Sequence, residues 1–187
     1  MFKKVVSRGV SKAEWLEAGL HLLGTSSVAE ISVLALAKQL RIAKSGFYWH
    51  FKDRADYLET LLDYWFNEII SVIAYNEQIG LLPPVDRLTT AIEMITKYDL
   101  VKYEVALHQW ALIDNAADKV MRKANRIRLE FVQDILRELG FDEDQVEIRA
   151  MLAVSYQLWE TPTFNNVVSK KRRKALIKKR IEFLTTK

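Results

Sequence analysis

Ile42-Ala43-Lys44-Ser45-Gly46-Phe47-Tyr48-Trp49-His50-Phe51-Lys52-Asp53-Arg54 is the stretch on which the fold of this chain turns. Just upstream, Ser32 is placed to cap a short helix, Val33 to Leu40, with Leu36, Ala37 and Leu40 facing inward. Arg41-Ile42-Ala43 breaks that helix, and a second short helix is expected over Lys44 to His50. An eight-residue helix, a three-residue turn and a seven-residue helix have the proportions of a helix-turn-helix. In such a unit the second helix lies in the major groove and the first braces it on the DNA backbone. Lys44, Ser45, Tyr48, Trp49 and His50 offer a cation, a hydroxyl, a phenol, an indole and an imidazole within seven positions. Phe47 and Phe51 recur at helical spacing and are expected to anchor the segment to its own core. Lys52 and Arg54 flank the start of the next helix, where charge and free backbone N–H groups can both meet a phosphate.

Outward from this stretch the apolar residues keep helical spacing, with no strand-like alternation. Ser11-Lys12-Ala13-Glu14 reads as a capping box opening a helix over about 12–23, with Gly24 as its C′ residue. Asp53 caps a long helix expected to run to about residue 78, closed by Gly80-Leu81-Leu82-Pro83-Pro84. Further helices are expected over 84–98, 100–114 and 117–139, the last stopped by Gly140. Asp142 starts another over 143–160, followed by Pro162, and Ser169 caps a last one over 170–185. The expected class is all-α, with about nine helices.

Composition narrows the function classes. The 187 residues hold no Cys, which excludes disulfides, thiolate metal sites and a thiol nucleophile. His21 and His108 have no partner at metal-ligand spacing, so no metal is expected. No apolar run is long enough to span a membrane, and Lys3 and Lys4 are not followed by the apolar stretch of a secretory signal, so a cytoplasmic location is expected. There is no Gly-rich phosphate loop and no nucleophile–base arrangement, and catalysis is not expected. The net charge of +4 is segregated: +5 over 1–54, −9 over 55–169 and +8 over 170–187. A local basic excess is the electrostatic footprint of a polyanion partner. The second basic block, Lys170–Lys174 with Lys178, Lys179 and Arg180, also fits a solvated helix face, a partner for the acidic middle, or an amphipathic helix on an anionic surface.

The run from Ile42 to Arg54, followed by Tyr57-Leu58, resembles the DNA-binding segment of the tetracycline-repressor (TetR) family, and Tyr48-Trp49-His50-Phe51 before a basic residue is its most specific part. The likeness in motif covers about residues 11–62; beyond it only helical layout and length match. It implies a homodimeric repressor released from a palindromic operator in double-stranded DNA when a small-molecule effector binds, with residues 1–54 as the DNA-binding domain and 55–187 as the effector-binding and dimerisation domain. No cofactor is implied. Ser32, Arg41, Lys44, Ser45, Gly46, Tyr48, Trp49, His50, Lys52 and Arg54 are the expected DNA-facing residues. By the same resemblance the last two helices form a dimer interface through Met151, Leu152, Ser155, Leu158, Trp159, Ile177, Ile181 and Leu184. The effector cavity is expected among Tyr98, Tyr103, His108, Gln109, Trp110, Tyr156 and Trp159, with Arg122, Arg126 or Arg149 for an anionic group.

Three positions depart from the family pattern. Arg41 stands where a turn Gly is usual, so it must adopt a left-handed conformation or alter the turn. Ala43 stands where Ser or Thr caps the recognition helix, a loss of about 1 kcal/mol. Gly46 inside that helix costs about 1 kcal/mol relative to Ala. A recognition segment only marginally ordered without DNA is the expectation. The same departures keep open a helical interaction or small-molecule-binding protein whose DNA binding is weakened or lost.

Overall fold

The computed structural model describes residues 9–187. Lys3 and Lys4 lie outside the described residues. All regular structure among the described residues is helical: α1 Lys12–Thr25, α2 Val33–Leu40, α3 Arg54–Trp65, α4 Val72–Ala74, α5 Glu77–Gly80, α6 Pro84–Tyr98, α7 Glu104–Ala111, α8 Asn115–Glu138, α9 Glu143–Phe164 and α10 Lys170–Thr185. Val28–Glu30 and Lys44–Trp49 are 3₁₀ helices, and Phe66–Ser71 is a π segment joining α3 to α4.

The caps read from the sequence are present. Ser11 Oγ accepts from the Glu14 N–H at 3.3 Å, and the Glu14 carboxylate accepts from the Ser11 N–H at 2.7 Å, which holds the Glu14 carboxyl below its ordinary value. Ser32, Asp53, Asp142 and Ser169 each accept from a backbone N–H in the first turn of α2, α3, α9 and α10. Gly140 takes a φ of 77° and ends α8.

Five boundaries differ from expectation. Gly24 is not a C′ residue but an α1 residue, and the helix runs on to Thr25. What requires glycine there is packing: a Cβ would lie 3.1 Å from the Tyr103 ring. The long helix changes to a π turn at Phe66 and ends at Ala74, because Asn76 caps the short α5 with bonds of 3.0 and 3.2 Å. Residues 100–103 are turns, since Asp99 ends α6 in a left-handed conformation (φ 51°) and only Glu104–Ala111 is helical. Asp114 caps α8 twice at 2.9 Å and starts it two residues earlier than the apolar stripe suggests. Pro162 lies inside α9; it sits near the C-terminus of the helix, where the N–H it lacks costs only one bond, to the Leu158 carbonyl.

One apolar core starts around Trp15, Leu36, Phe47, Phe51 and Tyr57 and continues without a gap through Trp65, Phe66, Tyr103, Leu107, Met121 and Ala124. Tyr57 is fully buried, donates to the Trp15 carbonyl at 2.9 Å, and has its hydroxyl pKa pushed well above the ordinary value by desolvation. A second core, formed by α6, α8, α9 and α10, includes Leu88, Ile92, Ile135, Leu136, Ala150, Ile181 and Leu184. Helix α8 runs between the two and packs against α3, α6, α7 and α9.

Candidate nucleic-acid interface and effector cavity

The first arm of the helix-turn-helix is α2 as expected, and the second is a 3₁₀ segment over Lys44–Trp49 in place of a helix running to His50. Arg41 resolves the first departure by going left-handed (φ 56°, ψ 42°) and closing α2, with the Ile42 N–H bonded back to the Ala37 carbonyl at 3.0 Å. An arginine in that conformation costs energy that glycine would not, on the order of 1 kcal/mol. Ala43 has no side-chain cap to give, and the segment after it is 3₁₀, not α. Its bonds are of the i to i+3 kind: Gly46 N–H to the Ala43 carbonyl at 3.2 Å, and His50 N–H to the Phe47 carbonyl at 3.0 Å.

Phe47 anchors this segment. It is fully buried, with Trp15 edge-on at a centroid distance of 5.5 Å and Tyr57 at 5.4 Å. Phe51 packs beside it at 5.0 Å. With those two rings inside, Trp49 is left 87% exposed and Tyr48 59% exposed, next to exposed Arg41, Lys44, Ser45 and Lys52. The adjacent exposed phenol and indole, set among cations, fit a surface that meets a polyanionic partner. Ser32 is exposed too, with its oxygen engaged as the α2 cap and its O–H still able to donate.

Two expected DNA-facing residues are turned to structural work. Arg54 donates from Nε to the Ile31 carbonyl at 2.6 Å and from an Nη to the Val28 carbonyl at 2.7 Å, satisfying the turn before α2. His50 is half-buried, with Nε2 2.8 Å from the Val10 carbonyl. The start of α3 is also less open to a phosphate than expected. The Lys52 N–H is taken by the Asp56 carboxylate at 2.8 Å and the Asp56 N–H by Asp53 at 2.9 Å. A sequence pattern marks which residues carry charge, not which carbonyls nearby lack a donor.

A cavity with an open mouth lies between the π segment, α6, α8, α9 and α10. Its wall is apolar, with Ile69, Ile70, Ile73, Ile92, Phe131 and Leu158 prominent, and its polar side chains are Arg128, Gln157 and Arg180. The wider π turn lets the adjacent Ile69 and Ile70 both face inward, where an α turn would splay them.

None of the residues expected to line an effector cavity lines this one. Tyr103 and Trp110 are buried in the first core, because α7 packs on α1 and α8. Tyr98, Gln109, Arg122 and Arg126 are exposed, and Arg122 pairs with Asp118 one turn away. His108 lies against Trp159 at 5.1 Å and Glu104 at 3.9 Å, away from the wall. Arg149 donates to the Phe183 and Leu184 carbonyls at 2.8 and 3.0 Å, closing the end of α10. Tyr156 touches the cavity only through Arg180, whose guanidinium sits 4.6 Å over its ring. Apolar stripes at helical spacing look alike whether a helix or an empty space faces them, so these walls carry no mark of their own in the sequence.

The expected dimer residues divide. Leu158, Ile181 and Leu184 are buried in the chain's own core, and Ile177 is half-buried there. The three on α10 face inward because α10 packs on α6, and Leu158 on α9 lines the cavity. Met151, Leu152, Ser155 and Trp159 stay exposed on one face of α9, together with Ile148.

No protein-family model matches the chain, and no curated protein matches it by sequence. Solved structures match it by shape. A TetR transcriptional regulator from Legionella pneumophila superposes with a TM-score of 0.71 at 13% identity, covering 97% of each chain. This is the fold of the TetR-family regulators. The transcriptional regulator FadR from Bacillus subtilis, solved in complex with stearoyl-CoA, superposes on it with a TM-score of 0.70 at 17% identity over 94% of this chain and 98% of its own. AibR, solved in complex with isovaleryl coenzyme A and operator DNA, follows at 0.66 and 15% over 93% and 97%. Within the TetR fold the Lys44–Trp49 segment and the cavity occupy separate ends of the continuous core. No described helix is long and apolar enough to cross a membrane, and no described group of His, Asp and Glu has a metal-binding arrangement.

Proposed function

We propose that this chain is a ligand-responsive transcriptional regulator that binds a palindromic operator as a homodimer and represses until a small molecule fills the cavity. The observation that carries the reading is the pairing of an exposed Tyr48-Trp49 surface, set in cations by a buried Phe47, with an apolar cavity beside the helix that leaves it. AibR and FadR support it, as proteins of the same fold solved with acyl-CoA ligands and, for AibR, with operator DNA. Residues up to 54 serve DNA and residues 55–187 serve the effector and the second subunit. Lys44, Ser45 and Gly46 read bases, and Arg41, Tyr48, Trp49 and Lys52 meet backbone or base. The exposed Ile148, Met151, Leu152 and Trp159 face of α9 meets its copy, as isologous interfaces do. In this reading the chain acts by binding, as the regulators of the same fold do, and catalyses no reaction. A DNA target places it in the cytoplasm.

Selection of fragments from the source genome by the full chain tests this. Recovered fragments should share an inverted repeat with half-sites one helical turn apart or a multiple of it, and binding should weaken steeply with salt. Recovery of unrelated fragments, or of none, would favour an interaction protein that no longer reads DNA.

A further inference from the structure

Two guanidinium groups reach the cavity, and their surroundings differ. Arg128 spends its charge inside the protein, donating from both Nη atoms to the carboxylate of the fully buried Glu104. Arg180 has no carboxylate within 4 Å among the described residues. The nearest acid able to serve, Glu160, is engaged by Arg173 at 3.7 Å and by the Tyr156 hydroxyl at 3.3 Å. Arg180 is left with one neutral acceptor, Gln157 Oε1 at 2.8 Å, and the face of Tyr156. Most of its five N–H donors therefore meet no protein acceptor among the described residues. Desolvation, the largest influence on this group, lowers its pKa, and Glu160 and Tyr156 oppose it. A partly buried cation facing an apolar space is costly until an anion arrives.

We infer that the cavity takes an apolar acid: a hydrocarbon body lodged among Ile70, Ile92, Phe131 and Leu158, with its anionic end paired bidentately to Arg180. This inference rests on the cavity being the effector site proposed above. A carboxylate or a phosphate matches the guanidinium fork equally well. The anion has two possible sources, a free fatty acid and an acyl thioester whose carrier bears phosphates. Arg128 is not the reader, because an anion there would have to displace Glu104.

The test is a calorimetric titration of the full chain, without DNA, using decanoate, decanol and decanoyl-CoA as probes. Decanoate or decanoyl-CoA, or both, should bind at least tenfold more tightly than decanol, the size of one or two charge-assisted hydrogen bonds. Arg180→Gln should lose that preference while still binding decanol, and Arg180→Lys should keep part of it. Binding of decanoate assigns the anion to a free acid; binding of decanoyl-CoA alone assigns it to the carrier. If Arg180→Gln fails to fold, Arg180→Lys answers in its place: it keeps the charge and loses the bidentate fork, so an unchanged preference for the anions overturns the pairing with Arg180. Equal affinity for decanol and the anions, or no binding of any probe, overturns the inference. Anion binding that leaves DNA affinity unchanged would overturn the regulatory reading alone.

Discussion

Glu104 on α7 is fully buried, and its carboxylate is clasped by the guanidinium of Arg128 on α8. The pair ties α7 to α8 at the cavity wall, and Arg128 also lies 5.8 Å from the Trp65 ring on α3. His108 joins from the same helix at 3.9 Å. Such a pair contributes little net stability when intact but is expensive to halve, because the remaining charge stays buried. Arg128→Met is therefore expected to destabilise the chain by about 3–5 kcal/mol. The double variant Glu104→Leu with Arg128→Met should recover most of that loss. Urea unfolding of the two variants checks both outcomes.

Gly19 and Tyr57 depend on each other in a similar way. A Cβ at residue 19 would lie 1.9 Å from Tyr57 Oη, the atom that donates to the Trp15 carbonyl. Ala would gain about 1 kcal/mol in helix propensity. Displacing a buried tyrosine costs about 1–3 kcal/mol in strain, and losing its bond adds about 1–3 kcal/mol. The loss wins. Gly19→Ala should lower the thermal midpoint by roughly 5 °C or more in a chain of this length, read by circular dichroism.

Ala43 is the weak point of the recognition segment. Its extended backbone (φ −71°, ψ 141°) already has the conformation of a helix N-cap and lacks only the side chain. Ala43→Ser should stabilise Lys44–Trp49 by about 1 kcal/mol. Amide exchange at Ser45 and Gly46 should slow by a factor of about five without DNA. Unchanged exchange would mean that the buried Phe47 alone orders the segment.

Much of this was legible in the sequence because it is local. A serine or aspartate before an apolar stripe is a cap wherever it stands, and Ser11, Ser32, Asp53, Asp142 and Ser169 all proved so. The turn at Arg41 was legible for the same reason. What escaped was set by long-range partners. Arg54 turns to carbonyls 23 and 26 positions away, and Gly24 is explained by a tyrosine 79 positions on. The cavity escaped because it is a space, bounded by residues whose pattern is that of core.

Leu152 lies 53% exposed beside Ile148 and Met151 on α9, with nothing among the described residues to cover them. A charge there should oppose a copy of itself across a two-fold interface. Leu152→Glu is expected to shift the protein from dimer to monomer in sedimentation while leaving the monomer fold intact. A wild-type monomer at the same concentration would remove the dimer from the account.

DNA recognition through Lys44 and Trp49 is open to direct measurement: the affinity of wild type, Lys44→Ala and Trp49→Ala for one selected genomic fragment and for a scrambled duplex, at a single fixed salt concentration. Trp49→Ala should weaken binding to the selected fragment by tenfold or more. Lys44→Ala should narrow the gap between fragment and scrambled duplex, the equivalent of about 1–3 kcal/mol of base discrimination. Affinities that match wild type on both duplexes would contradict the account.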